Sequence, residues 1–255
     1  MDFGMPTLIG CASPQESAAL CRRLGLSFIE LNMNLPEYQP DRLEEVLKNR
    51  PDDIYYTLHL DENLNPFDFN AAVADAWRDT ALKTASLARK YGVPVLNMHI
   101  PRGAYFTLPG RKAYLYDEYW PEVERKISGF RDALAEAAGD VHICLENTIF
   151  SGFAHLPDTL KLLLEAPCFG LTYDCGHDHT DICRALPFYQ RHANRLLHFH
   201  RHDYYCRTSH LPLGDGEMDI DRMLCMAAGC RVVLEVKDVP GLFASVERIA
   251  ERNLL

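Results

Sequence analysis

Eight short apolar runs separated by longer amphipathic stretches recur along the whole of this 255-residue chain, and that alternation limits its fold more than any other feature. The runs are Thr7–Ala12, Phe28–Met33, Ile54–Leu60, Val95–Ile100, His142–Asn147, Gly170–Asp174, Leu196–His200 and Arg231–Val236. Rich in β-branched and apolar residues, they read as strands covered on both faces, as in a parallel sheet. The intervening stretches carry helix signals. Ser13-Pro-Gln-Glu16 offers a capping hydroxyl with proline at the first helical position. The spacing predicts long helices over Asn70–Tyr91 and Tyr119–Ala138, each stopped by a glycine, Gly92 and Gly139. Leu156–Glu165, Ile182–His192, Ile220–Ala228 and Leu242–Asn253 supply the rest.

Strand-helix repeats of this kind require right-handed crossovers. At this length, closure into a (β/α)8 barrel, one domain over residues 1–255, is favoured over an open sheet. No G-x-G-x-x-G or G-x-x-x-x-G-K-S/T motif occurs, which removes the obvious nucleotide-binding folds. The stretches Asp61–Phe69, Pro101–Asp117 and Asp203–Asp219 are long for strand-to-helix connections. In a barrel such loops cap the active face.

The ionisable residues fall at the strand ends. Glu30, His59, His99, Glu146, Asp174, His200 and Glu235 each close, or nearly close, one of the apolar runs. On a parallel barrel those ends share one rim, so residues distant in sequence meet in space. A lone histidine at a strand end is ordinarily a hydrogen-bonded structural residue. Crowded carboxylates repel one another and are costly to desolvate, so seven such ends point to a cation that holds them. A mixed imidazole and carboxylate shell suits Zn, Mn, Co or Fe(II) better than Ca.

The segments Leu58-His-Leu-Asp-Glu-Asn-Leu-Asn-Pro66, Leu145-Glu-Asn-Thr148, Tyr173-Asp-Cys-Gly-His177, His198-Phe-His-Arg-His-Asp203, His210-Leu-Pro-Leu-Gly-Asp-Gly216 and Leu234-Glu-Val236 together resemble the xylose isomerase-like TIM barrel superfamily. That superfamily holds sugar phosphate isomerases and epimerases, dehydratases and endonuclease IV-type apurinic/apyrimidinic nucleases. The resemblance implies that Glu146, Asp174, His200 and Glu235 bind one divalent metal, as in the ketose epimerases. It also implies two further ligands, His59 and His99, for a second ion that shares Glu146, and His177 and His210 for a third, as in the nucleases. Thr208 stands where the nuclease pattern has an aspartate, so one or two ions per chain (Zn, Mn, Co or Mg) are expected rather than three.

Neighbouring residues carry separate expectations. His198 shares the face of His200 one layer deeper and is read as a packing or supporting residue. Asp203 could orient a ligand imidazole, and Glu30 could contact substrate or join an internal ion pair. Asp178 and His179 are read as solvated, and Cys175 as a bystander. Arg102, Arg201 and Arg207 could hold an anionic group. Tyr105, Phe106, Tyr114 and Tyr116 could form a lid or a contact within a homo-oligomer.

With 36 acidic against 26 basic residues and a formal charge of −10, the chain lacks the cationic surface of a general nucleic-acid binder. No run approaches the roughly 20 apolar residues of a membrane span, and no apolar leader is evident, so a soluble cytoplasmic protein is expected. Its nine cysteines form no C-x-x-C pair and read as buried, reduced thiols. The expected activity is isomerisation or epimerisation of a small sugar, sugar phosphate or polyol-like carbohydrate through an enediolate, Glu146 and Glu235 serving as acid and base. The alternatives are an apurinic/apyrimidinic phosphodiesterase with zinc, a dehydratase or lyase on the same scaffold, and a metal-binding barrel without catalysis.

Overall fold

The computed structural model describes residues 1–148, 150 and 153–254. In chain order the strands are β1 (Asp2–Pro6), β2 (Phe28–Asn32), β3 (Tyr55–His59), β4 (Val95–His99), β5 (Tyr105–Leu108), β6 (Arg111–Tyr114), β7 (His142–Glu146), β8 (Phe169–Asp174), β9 (Leu196–Arg201), β10 (Asp203–Tyr205), β11 (Thr208–Leu211) and β12 (Arg231–Leu234). β1, β2, β3, β4, β7, β8, β9 and β12 close a parallel barrel in that order, and β12 pairs back onto β1. The other four form two antiparallel hairpins inside the long loops over Pro101–Asp117 and Asp203–Asp219. This is the (β/α)8 barrel expected from the alternation.

The helices are α1 (Pro14–Arg23), α2 (Leu43–Lys48), α3 (Ala71–Lys90), α4 (Leu115–Glu118), α5 (Trp120–Ala138), α6 (Leu156–Leu164), α7 (Cys175–Thr180), α8 (Leu186–Arg191), α9 (Ile220–Met226) and α10 (Val239–Ala250). α1 starts with a reciprocal cap. Ser13 accepts the Glu16 amide at 3.2 Å and the Glu16 carboxylate accepts the Ala12 amide at 2.8 Å. Among the described residues no helix is long and apolar enough to cross a membrane.

The first strand differs from the sequence reading. Thr7–Ala12 is not a strand but the connection after β1, with Ile9 91% exposed and Leu8 tucked inward. The strand lies earlier because Gly4 and Pro6, poor strand formers in isolation, are what that position needs. A Cβ on Gly4 would sit 2.5 Å from the Phe28 ring, so only glycine lets that ring cross the barrel. The helix expected over Ile182–His192 also differs. Ile182 and Cys183 have φ of 60° and 54°, and this left-handed turn separates α7 from the shorter α8. α10 begins at Val239 rather than Leu242, because Asp238 caps it through the Gly241 amide.

Alternation along each strand sorts residues into two environments. Ile29, Leu31, Tyr56, Leu58, Leu96, Met98, Ile143, Leu145 and Phe199 face outward into the apolar layer between barrel and helices. The opposite parity faces the barrel axis, and above Phe28 it is polar: Glu30, Thr57, Asn97, Thr172 and His198, all buried. All nine cysteines are unpaired. Four are buried, but Cys183, Cys206 and Cys225 are exposed, correcting the expectation of uniform burial.

Candidate metal centre

Parallel register sets the rim. Glu146 at the end of β7 is level with His99 of β4, and Asp174 of β8 with His200 of β9. Glu235 follows β12, its amide held by the Arg201 carbonyl at 2.8 Å. Glu146, Asp174 and His200 thereby bring ligand atoms within 4.8 Å of one another, and Glu235 joins them beside His200. His200 Nδ1 lies 3.2 Å from Glu235 Oε2, 3.4 Å from Glu146 Oε2 and 3.8 Å from Asp174 Oδ2. Ligands at roughly 2.0–2.2 Å from a common ion stand about 3–4 Å from one another, which these separations match.

The remaining oxygens of Asp174 and Glu235 are already engaged. Asp174 Oδ1 accepts the His177 amide at 2.6 Å as the cap of α7. Glu235 Oε1 accepts Lys237 Nζ at 2.6 Å. His200 Nε2 lies 2.8 Å from Glu30 Oε1. By contrast Asp174 Oδ2, Glu235 Oε2 and His200 Nδ1 are buried with no hydrogen-bond partner. Buried polar atoms are almost always satisfied, and three orphans facing one point fit a divalent ion.

A second group adjoins the first. His59 Nε2 is 3.3 Å from Glu146 Oε2 and His99 Nε2 is 3.2 Å from Glu146 Oε1. His59 Nδ1 lies 2.7 Å from the Leu60 carbonyl, so a proton sits there and Nε2 is the nitrogen that faces Glu146. Glu146 therefore stands between two candidate ion positions.

His177 and His210 sit at the edge. His177 Nδ1 is 3.2 Å from both Glu146 Oε1 and the Asn147 carbonyl, and His210 Nδ1 is 3.0 Å from the Glu235 carbonyl. Their ring centres are 6.3 Å apart, while Thr208 on β11 is exposed. His202, His210 and Glu235 also offer ligand atoms close together.

The electrostatics of the cage are strongly coupled. Burial disfavours charge on Glu146 and Glu235. Imidazole and ammonium neighbours outweigh it and hold both well below the usual carboxylate range: His200 and His99 for Glu146, His200 and Lys237 for Glu235. Burial likewise opposes protonation of His59, yet the hydrogen bond and charge of Glu146 raise it to about 9. Asp174, with Glu146, raises His177 to about 10 against its burial. His210 goes the other way, lowered by burial to about 4. In the protein alone, imidazolium ions balance the carboxylates, and a divalent cation can take over that task.

Several supporting residues escaped the sequence reading. Asn97 donates to Glu146 Oε2 and its own carbonyl oxygen accepts Thr172 Oγ1 at 2.6 Å. Each lies two positions before a rim residue (His99, Asp174), as His198 does before His200, and that offset of two is the signal that could have found them. Glu30 takes up the internal alternative: it is hydrogen-bonded to His198 Nε2 at 2.8 Å, and its other oxygen lies 2.8 Å from His200 Nε2 as an ion pair.

Other expectations are corrected. Asp178 is not solvated but buried, accepting Tyr173 Oη at 2.7 Å and the amides of Ala185 and Leu186. His179 pairs with Glu217 at 3.0 Å. Asp203 holds no imidazole through its carboxylate. That group accepts the amides of Tyr204, Gly214 and Met218 and so folds the loop around β10 and β11. Arg201 is fully buried, turned away from the rim toward Cys175 Sγ and the His202 carbonyl, and Tyr116 is buried with its hydroxyl on Asn65. Arg102 does line the rim. With Glu62, Asn63, His99 and Thr148 it borders a cavity of about 330 Å³.

Known structures share this architecture. A D-tagatose 3-epimerase-like protein superposes with a TM-score of 0.79 at 20% identity, over 100% of this chain and 98% of the other. A probable 3-DHS dehydratase, AsbF from Bacillus anthracis, gives 0.74 at 17% identity over 99% and 100%. The TTHB071 protein from Thermus thermophilus, soaked with ZnCl2, gives 0.70 at 20% over 99% of each chain. No curated protein matches by sequence. The model of the xylose isomerase-like TIM barrel family matches residues 18–247, nearly the whole barrel, and the chain belongs to that family.

Proposed function

We propose that this chain is a divalent-metal-dependent isomerase or epimerase of a small sugar, sugar phosphate or polyol-like substrate. Glu146, Asp174, His200 and Glu235 hold one ion, His59 and His99 with Glu146 a second, and Glu146 and Glu235 act as acid and base. The observation that carries this reading is the trio of buried, unpartnered atoms on Asp174, Glu235 and His200 facing one point.

A bound divalent ion supplies Lewis acidity that lowers the cost of an enediolate next to a carbonyl. The side chains do the rest. Glu146 and Glu235 come from strands separated by β8 and β9, so they approach a substrate from two sides. Both are held as carboxylates, the form that abstracts a proton α to a carbonyl. Lys237 takes Glu235 Oε1 and Asn97 takes Glu146 Oε2, which fixes each carboxylate plane. His177 Nδ1 lies 3.2 Å from Glu146 Oε1 and helps to orient that oxygen. Two cavities flank the centre. One is bordered by Arg102 and His99, the other, about 300 Å³, by Thr7, Leu8, Asn32, Asn34 and Lys237. Their size suits a small molecule, and the polar lining of the first, with Glu62, Asn63, His99 and Arg102, suits a polyhydroxylated one.

The test is elemental analysis of protein purified without chelators, followed by assays on ketoses and their phosphates before and after metal removal. Metal-dependent epimerisation supports the reading, and a metal-free, inactive protein that cannot be reconstituted refutes it. The group His59, His99 and Glu146 favours one hydrolytic alternative, an apurinic/apyrimidinic phosphodiesterase, which nicking of abasic DNA would reveal.

A further inference from the structure

We propose that His202 is a positioning residue for Asp174: its Nε2–H rests on Asp174 Oδ1, so that Oδ2 alone faces a cation. This rests on the reading of Asp174 as a metal ligand. His202 directly follows β9 and is fully buried. The main chain decides where its proton lies. The His210 amide, which can only donate, reaches His202 Nδ1 at 2.8 Å. The Asp203 carbonyl is farther from the same nitrogen, at 3.1 Å. Nδ1 therefore presents its lone pair to His210, and the ring proton belongs on Nε2. That nitrogen lies 3.3 Å from Asp174 Oδ1, within ion-pair distance, and is otherwise buried without a hydrogen-bond partner.

The surroundings are shaped to this ring. A Cβ on Gly176 would lie 1.9 Å from His202 Cε1, so the first turn of α7 leaves the space of a side chain to the imidazole. His210 holds a left-handed φ of 59°, a conformation that histidine adopts rarely, at the point where its amide meets His202. Asp174 Oδ1 accepts the His177 amide at 2.6 Å and has His202 Nε2 3.3 Å away, while Oδ2 has no partner. The carboxylate is divided, one oxygen for the protein and one for an ion.

His202, His210 and Glu235 also bring ligand atoms within reach of one another, which would serve a further ion if His202 Nε2 were a free lone pair. The His210 amide argues against that, because a ring with Nδ1 accepting keeps its proton on Nε2. The two assignments predict opposite tautomers and different affinities.

The test uses the full chain labelled with ¹⁵N-histidine, His202 being assigned by its loss in His202→Gln. Long-range ¹H–¹⁵N correlation is expected to show the Nε2–H tautomer in metal-free and Zn²⁺-loaded protein, and an Nδ1–H tautomer would overturn the proposal. Affinity for Co²⁺ and Zn²⁺ is then measured by competition with a chromophoric chelator. His202→Leu is expected to lose about 10–100-fold, the usual effect of removing a group that orients a ligand. His202→Gln, whose amide N–H can still reach Asp174, should recover most of it, and the Co²⁺ d–d spectrum should shift in the Leu variant only. Equal losses in both variants, or none in His202→Leu, would overturn the positioning role while leaving the metal centre intact. A wild-type chain that binds neither ion would overturn the metal reading and this proposal together. The tautomer measurement needs no variant that might misfold.

Discussion

Glu30→Gln isolates what a single buried charge does for the centre. Glu30 is 3% exposed, accepts His198 Nε2 at 2.8 Å and Thr57 Oγ1 at 3.3 Å, and pairs with His200 Nε2 2.8 Å away. Its burial opposes ionisation, yet His200 and His198 together hold the carboxyl below its usual range. The amide keeps the shape and one acceptor but removes the charge. A hydrogen bond to a charged group contributes about 1.5–3 kcal/mol and a neutral one about 0.5–1.5, so weakening the bond to His198 costs about 1–1.5 kcal/mol of metal-free stability, to which the lost ion pair with His200 adds. Metal affinity should fall separately. A carboxylate behind His200 Nε2 makes Nδ1 more basic, and losing such support lowers affinity about 10–100-fold. Denaturant unfolding of the metal-free protein reads the first quantity, and chelator competition for Zn²⁺ or Mn²⁺ reads the second. If Glu30→Gln unfolds earlier but binds metal as tightly as the wild type, Glu30 only props the barrel and the ligand assignment of His200 loses its support.

Glu146→Gln should abolish tight metal binding and metal-dependent turnover together, because Glu146 touches both ion positions; full activity in the variant would sink its ligand role. Metal-free protein should lose stability as pH rises. The raised values of His59 (about 9) and His177 (about 10) mean their protonated forms favour the folded state. That contribution is complete below the ordinary imidazole value near 6.5, at most about 3 kcal/mol for His59, and vanishes as pH passes through about 9 to 10. Unfolding measured from pH 6 to 10 should show this decline, and saturating Zn²⁺ should suppress it; a flat metal-free profile contradicts the coupling. Gly176→Ala should cost about 1–3 kcal/mol by forcing the His202 ring aside, and should lower Zn²⁺ affinity as His202→Leu does. Unchanged thermal unfolding would show that the ring has room to move.

How much of the fold could be read depended on where apolar continuity coincided with pairing. Runs such as Val95–Ile100 and His142–Asn147 ended within a residue of β4 and β7, because both faces of those strands are covered and the apolar signal stops where the barrel does. At the first strand the signal pointed to the wrong segment. Gly4 and Pro6 serve tertiary needs, the space for Phe28 and the end of the ladder, which no local preference announces. The left-handed turn at Ile182 and Cys183 was hidden for the same reason, since β-branched isoleucine argues against that conformation locally. Neither hairpin, β5 with β6 nor β10 with β11, could be separated from irregular loop by composition alone.

At the rim, one residue per strand end was legible because parallel topology alone brings those ends together. The layer below was not. The sequence around residue 30 admits both a substrate contact and an internal ion pair. Its place is fixed by register with Thr57 of β3 and by reach across the barrel to His198 and His200, neither of which is written in the neighbourhood of residue 30. Asn97 and Thr172 looked like ordinary polar interruptions of apolar strands, yet together they fix one oxygen of Glu146. Ligand type can thus be inferred from chemistry at the strand ends, whereas ligand orientation depends on which atom of each side chain is already taken. Asp174 and Glu235 each have one oxygen bound by the protein and one left without a partner, and His200 sets one nitrogen beside Glu30 and the other toward the carboxylates. Only the three-dimensional pairing distinguishes a crowd of charged residues from a set of atoms aimed at one ion.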